Sequence, residues 1–406
     1  MSAQRLTEVD RIIDRGMKAG AYPGAAVIIG RNGAVVWQKG YGRLSWRSTS
    51  GSVDPQTSLY DLASVTKPVC TATAAMILHD QGKLTLDTKI QSVLPEFTGR
   101  WKDRVTVGHL LAHVSGLPPG RRIWLTAKNP TEGRHQVLTT ALNSIPGGVV
   151  DYSDLGPIIL GLAIERVSGM PLNQFCETQI FEPLGMHDTR YQPSADLKPR
   201  IAPTEMYPPR GHAAYGEVHD ETAYTLGGIS GNAGLFSTAE DLAIFAQMML
   251  NGGTYGGVRL IQDSTVRRFT QVVKGNRTYG WEVPMGERGS GEFLSQRSFG
   301  HVGYTGTSIW IDPERKLFVI ILTNRVHDAR ARRPGIIIAD VRHDVADAAA
   351  LAITAEPTLR AVAWPRVFRV DQAPDWNPPT RTLVRRPTTL PRSGAASSPD
   401  DQDLPQ

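Results

Sequence analysis

A chain of 406 residues with 40% hydrophobic, 7% aromatic and 20% charged side chains has the balance of a globular protein, which excludes a mostly disordered chain. No uncharged apolar run approaches the roughly 18–20 residues that a membrane span needs. Lys and Arg number 44 against 39 Asp and Glu, a formal charge of +5 spread along the chain that gives no argument for nucleic acid.

The chain opens on a helix-like pattern of Leu6, Val9, Ile12, Ile13 and Met17. It shows no apolar signal core and no small-residue cleavage site, so a cytoplasmic location is expected; a sequence already trimmed of an export signal would look the same. Residues 24–38 are two β-branched runs joined at Asn32-Gly33, a hairpin signal because Asn-Gly accepts the positive φ angles of a type I′ turn. Asp61 opens an apolar helical stretch to about His79, stopped by Gly82, and a second runs from Leu155 to Val167 and ends at Gly169. Ser237-Thr-Ala-Glu240 reads as a capping box ahead of Leu242, Phe245, Met248 and Met249. Two strands, Thr307–Asp312 and Leu317–Thr323, flank the turn 313–316, and an Ala- and Val-rich helix covers Asp340–Ile353.

The simplest architecture is α+β, with an antiparallel sheet built from both chain ends, flanked by helices and interrupted by a helical insertion. Residues 1–62 and 233–354 form the discontinuous sheet domain, and residues 63–232 the mainly helical one. Residues 355–406 form a Pro- and Arg-rich tail, too poor in apolar side chains to offset its chain entropy and expected to be largely disordered. The two cysteines, Cys70 and Cys176, are too few for a disulfide framework or a cysteine-based zinc site. They read as small core residues in helical surroundings.

Ser64-Val-Thr-Lys67 carries the chemical argument. On a helix, residues three apart share a face, so the Lys67 amine reaches the Ser64 hydroxyl. A serine is a poor nucleophile until a neighbouring base takes its proton, and a lysine serves once its surroundings lower its pKa. The first turn of a helix also offers N–H groups to a developing oxyanion, and Pro68 suits such a turn. Ser and Lys at this spacing occur about once by chance in a chain this size, so context decides. Tyr152-Ser-Asp154 stands just before an apolar helix, where a phenol can shuttle protons and a polar side chain two residues on can orient it. His301-Val-Gly303 precedes a strand, where a donor followed by glycine lets a substrate backbone approach closely; a plain Gly-rich turn is the competing reading.

The order Ser-x-x-Lys, Tyr-x-polar, basic-x-Gly resembles the three-box signature of the serine β-lactamase and penicillin-binding-protein superfamily. Leu59–Pro68, His109–Pro118, Val218–Asp220, Gly231–Thr238 and Gly300–Pro313 also look like segments of its class C-like branch, so the resemblance spans roughly residues 8–352. It implies that Ser64 is the acyl-accepting nucleophile, Lys67 its general base and Tyr152 the proton shuttle. The Ser64 N–H and the Tyr304 N–H, just after Gly303, would form the oxyanion hole. His301 stands where lactamases usually carry lysine, and Asp154 where the family usually has asparagine. An ionised carboxylate only accepts hydrogen bonds and would hold Lys67 charged, making it a poorer base. Both departures point away from efficient β-lactam hydrolysis and toward small ester or amide substrates. On the same logic the chain resembles the family VIII carboxylesterases, which share this fold and Ser-x-x-Lys box.

The expected activity is therefore that of a cofactor-independent serine hydrolase, a carboxylesterase on short-chain esters. A D-amino-acid peptidase or weak β-lactamase is the alternative, and a non-catalytic peptidoglycan- or partner-binding module is the alternative of another class. His109 and His113 are four apart, but no glutamate follows His109, so they read as packed or capping residues rather than zinc ligands. A Gly-x-Ser-x-Gly elbow is lacking, which disfavours the α/β-hydrolase fold.

Overall fold

The computed structural model describes residues 1–206, 209–284 and 289–355. All but the first residue of the Pro- and Arg-rich tail lies outside them.

Five strands form the main sheet: β1 (Gly24–Arg31), β2 (Ala34–Gly42), β3 (Phe299–Val302), β4 (Ser308–Asp312) and β5 (Leu317–Thr323), in the order β2-β1-β5-β4-β3. Every neighbouring pair is antiparallel. The β1–β2 hairpin turns at Asn32 and Gly33, whose φ angles of 53° and 80° are the positive pair that a type I′ turn requires. β3 is the strand that the sequence hid, because its short Phe-Gly-His-Val run is embedded among glycines.

Period-two alternation sorts the sheet residues into two cores. Ala26, Ile28, Phe318, Ile320 and Leu322 face the larger core, shared with the helix Ala239–Leu250 and the helical residues before it. Ala25, Val27, Ile29, Leu317, Val319 and Ile321 face the smaller core, under the helices Glu8–Lys18 and Pro334–Leu351. Both faces of β1 and β5 are thus covered, while β2, at the edge, is largely solvated.

The helix Ala239–Leu250 is capped one residue later than the sequence suggests. The Thr238 hydroxyl accepts from the Asp241 N–H at 3.1 Å, while Ser237 ends a short strand and bonds Thr189 at 2.7 Å. The helix Leu155–Ser168 closes, as expected, on Gly169. Among the described residues no single helix is long and apolar enough to cross a membrane.

The cysteines depart from expectation. Cys70 and Cys176 are buried within helical stretches, but they form a disulfide with a Cα–Cα distance of 5.9 Å. A separation of 106 residues gives no local signal, and only the packing of the two helical stretches brings the thiols together.

Candidate active site

The Ser64–Lys67 segment is not the continuous helix its apolar pattern suggests. It has three pieces: a 3₁₀ turn Ala63–Val65, a π-helical stretch Lys67–Ala72 and an α-helix Thr73–Asp80. Short π segments are costly and cluster at functional sites. Pro68 stands in the first turn, where its missing N–H is tolerated. Ala63, one residue before Ser64, has φ 48°, a left-handed conformation unusual for a side chain with a Cβ. The buried Asp61 holds it there: one carboxylate oxygen accepts from the Ala63 N–H at 2.8 Å, the other from the His219 N–H at 2.6 Å.

The turn after β3 is braced against this segment. The Thr305 hydroxyl donates to the Asp61 carbonyl at 2.7 Å, and the Thr307 hydroxyl to the Leu62 carbonyl at 2.9 Å. Gly303 makes this approach possible, because a Cβ there would stand 2.1 Å from Thr307 Oγ1 and 2.4 Å from the Leu62 carbonyl oxygen. Behind the turn, the buried Arg342 guanidinium donates to the Gly303 and Thr307 carbonyls at 2.8 and 2.7 Å. The Tyr304 ring lies between the His219 imidazole, stacked at 5.6 Å, and the Arg325 guanidinium at 4.3 Å.

Lys67 Nζ lies at the centre, buried, and donates to half-buried Ser64 Oγ at 2.8 Å and to the Asn232 carbonyl at 3.2 Å. It forms an ion pair with Asp154 at 2.6 Å and stands 5.0 Å from the Tyr152 ring centre. Burial by itself would lower its pKa, but the Asp154 carboxylate, with Tyr152, outweighs that and holds the ammonium well above its ordinary range. Burial raises the Tyr152 phenol, only partly countered by the nearby Lys67 charge.

The structure brings Ser64, Lys67, Tyr152 and Asp154 into one contact set, with Gly303 and Tyr304 on the adjoining turn. His301 stands behind it, 6.1 Å from the Tyr152 ring and buried. Its Nδ1 lies 2.8 Å from the Val302 carbonyl, which can only accept, so the proton sits on Nδ1. Burial, together with the Lys67 and Arg277 charges, pushes the ring well below its ordinary pKa, so it is neutral. The site therefore has no counterpart, at His301, of a fixed lysine charge.

Three more residues join the site that the sequence did not assign to it. Asn232 contributes a carbonyl to Lys67 and, through its side chain, bonds Asp220 at 3.2 Å. The Arg277 guanidinium lies 4.9 Å from the Tyr152 ring and pairs with Glu282 at 3.3 Å. His113, expected only to pack or cap, accepts from the Ser153 N–H at 3.1 Å and lies tilted against the Tyr152 ring, the centres 4.5 Å apart. His109 does cap its helix, in a reciprocal box with Thr106. Asn232 lies in a segment already marked by resemblance; Arg277 has no local signal at all.

A five-stranded antiparallel sheet with helices on both faces and a Ser-x-x-Lys nucleophile segment against its edge defines the β-lactamase and transpeptidase class of fold. The Beta-lactamase family model matches residues 9–342, and the chain belongs to that family, the serine hydrolases of the β-lactamase and penicillin-binding-protein superfamily. A Salmonella agona protein named "Putative D-alanyl-D-alanine carboxypeptidase" is 33% identical over 364 residues, covering 80% of this chain and 84% of its own. Among solved structures, a penicillin-binding-protein homologue from Caulobacter crescentus has a TM-score of 0.68 at 20% identity, covering 87% of this chain and 99% of its own. EstCE1, a hydrolase with promiscuous acyltransferase activity, has a TM-score of 0.67 at 22% identity, covering 84% and 99%. At these identities the two structures speak for the fold.

Proposed function

We propose that the chain is a carboxylesterase acting on short-chain esters through an acyl-enzyme on Ser64. Ser64 Oγ attacks the ester carbonyl, and its proton passes to Lys67 in the free-amine form. The Ser64 and Tyr304 N–H groups face the oxyanion. Tyr152 delivers a proton to the leaving alkoxide as the tetrahedral intermediate collapses and then takes one from the water that attacks the acyl carbonyl, while Lys67 returns its proton to Ser64 Oγ as the acid leaves.

The observation that carries the ester preference is the charge pattern around the nucleophile. His301 is neutral, and the Asp154 carboxylate, about one-third exposed, stands 2.6 Å from Lys67. A substrate carboxylate meets a neutral ring where lactamases usually offer a lysine, and it meets an acid beside the base. A small uncharged ester suffers neither penalty.

A second reading, a D-amino-acid carboxypeptidase, is favoured by the named activity of the Salmonella agona relative. Turnover of p-nitrophenyl butyrate, a D-Ala-D-Ala peptide and a chromogenic cephalosporin, each against a Ser64→Ala control, separates them. Ester cleavage lost in the variant is the expected result; peptide or lactam turnover without ester cleavage reverses the order. A chain that no fluorophosphonate labels would be a binding module. We infer further that the protein works in an oxidising compartment, since buried disulfides persist there and not in a reducing cytosol.

A further inference from the structure

We propose that a second cleft, separate from Ser64, binds a small organic anion bearing a carboxylate or phosphate group, and that its occupant is felt at Tyr152. The cleft has a volume of about 380 Å³, the size of a small-molecule site, and none of Ser64, Lys67 or Tyr152 lines it.

Its walls carry more donors than acceptors. Arg268 and Lys274 line it, and among the described residues neither has a carboxylate partner. The Lys274 ammonium donates to the Gly147 and Gly148 carbonyls, which uses two of its three N–H bonds. His109 Nδ1 accepts from the Thr106 N–H at 3.2 Å, and its Nε2 is the atom nearest a Cβ built on Gly147, a residue of the cleft wall. His79 Nδ1 is buried without a hydrogen-bond partner among the described residues. Against these stands the Asp87 carboxylate, and the Tyr279 ring adds a flat face beneath Arg268. Two exposed cations that form no ion pair among the described residues, set against one carboxylate, and an aromatic face suit an anion with a short apolar body.

Three of the cleft walls run on into residues that touch Tyr152. The helix Val107–Leu111 carries His109 into the cleft, and His113, just beyond it, lies against the Tyr152 ring. The segment containing Lys274 and Tyr279 also contains Arg277, which lies against the same ring. Gly147 stands five residues before Tyr152, and its N–H donates to the Val114 carbonyl at 2.7 Å. The Gly280 N–H, bonded to the Leu111 carbonyl at 3.0 Å, ties the first two walls together.

Calorimetric titration of the Ser64→Ala chain with inorganic phosphate and with succinate, at constant ionic strength in chloride, reads binding without any need for turnover. Saturable one-site binding of at least one probe is expected, weakened about tenfold by Arg268→Gln and by Lys274→Gln, the loss of one charge-assisted contact. Preference for phosphate or for succinate identifies the head group. Hydrogen exchange of residues 107–115 and 147–155 is expected to slow when the probe binds and to stay unchanged in Arg268→Gln. Absence of saturation with both probes, or equal affinity in both variants (an adventitious ion only), overturns the site. Unchanged exchange under saturating probe overturns the link to Tyr152. Neither readout depends on which substrate the enzyme hydrolyses.

Discussion

The two walls of the active site are built on different principles. On the nucleophile side, from Asp61 through Cys70 with the turn 303–307, carboxylate, hydroxyl and guanidinium bonds fix the backbone, and a disulfide anchors the segment's far end. On the facing side, rings and charges stack on Tyr152, while polar atoms such as His301 Nε2 and Arg277 Nε are buried without a hydrogen-bond partner among the described residues. In the proposed mechanism the first wall sets where the attacking and stabilising atoms stand. The second sets how much charge surrounds them. On the first wall side chains bond to backbone carbonyls and N–H groups and so fix positions; on the other, charges and rings adjust protonation, which is where a family can change its chemistry without changing its fold.

Substitutions on the fixed wall carry the largest expected effects. Replacing both cysteines by alanine releases a loop of 106 residues in the unfolded chain and costs about 4–5 kcal/mol on the chain-entropy account. Denaturant unfolding of the double variant measures it, and a loss below about 1 kcal/mol would remove the anchor from the argument. Next comes Gly303→Ala, whose Cβ must push the turn off the Leu62 carbonyl. The Tyr304 N–H then moves from the oxyanion, and kcat for the ester substrate should fall about a hundredfold or more, as when one oxyanion donor is lost. A folded variant with unchanged kcat would break the assignment of this wall to positioning.

Smaller effects are expected across the cleft, where charge and not position changes. Asp154→Asn keeps the shape but removes the carboxylate that holds Lys67 protonated. Each unit by which the Lys67 pKa falls raises its free-amine fraction at neutral pH about tenfold, so pre-steady-state acylation at pH 7 should quicken by about that factor. Slower acylation would show that Asp154 orients Lys67 and does not restrain it. In the unsubstituted enzyme the raised Lys67 pKa means that acylation accelerates as pH climbs from 7 toward 10, and in Asp154→Asn the same rise should come at lower pH. Superimposable profiles would sink the electrostatic account of this wall.

Much of this was legible beforehand because it is local. Asn32-Gly33 announces its turn through backbone stereochemistry, Gly169 its helix end, and Ser64, Lys67 and Pro68 their shared turn through spacing. Asp154 announced its effect on Lys67 through chemistry alone, since a carboxylate cannot donate. The three-piece construction of residues 63–80 was not legible, because apolar periodicity does not separate π from α winding. Nor was the cap at Thr238, since Ser237 and Thr238 are equally able and the strand pairing of Ser237 selects between them.

What the amino-acid order determined on its own is the set of groups whose identity and near neighbours define a reaction: a hydroxyl, an amine, a phenol and a misplaced acid. Packing alone decided that Cys70 meets Cys176, that Arg277 and His113 close over Tyr152, and that His301 loses its charge. Those outcomes come from burial and from contacts between residues far apart in the chain, and neither desolvation nor a long-range encounter leaves a trace in local sequence.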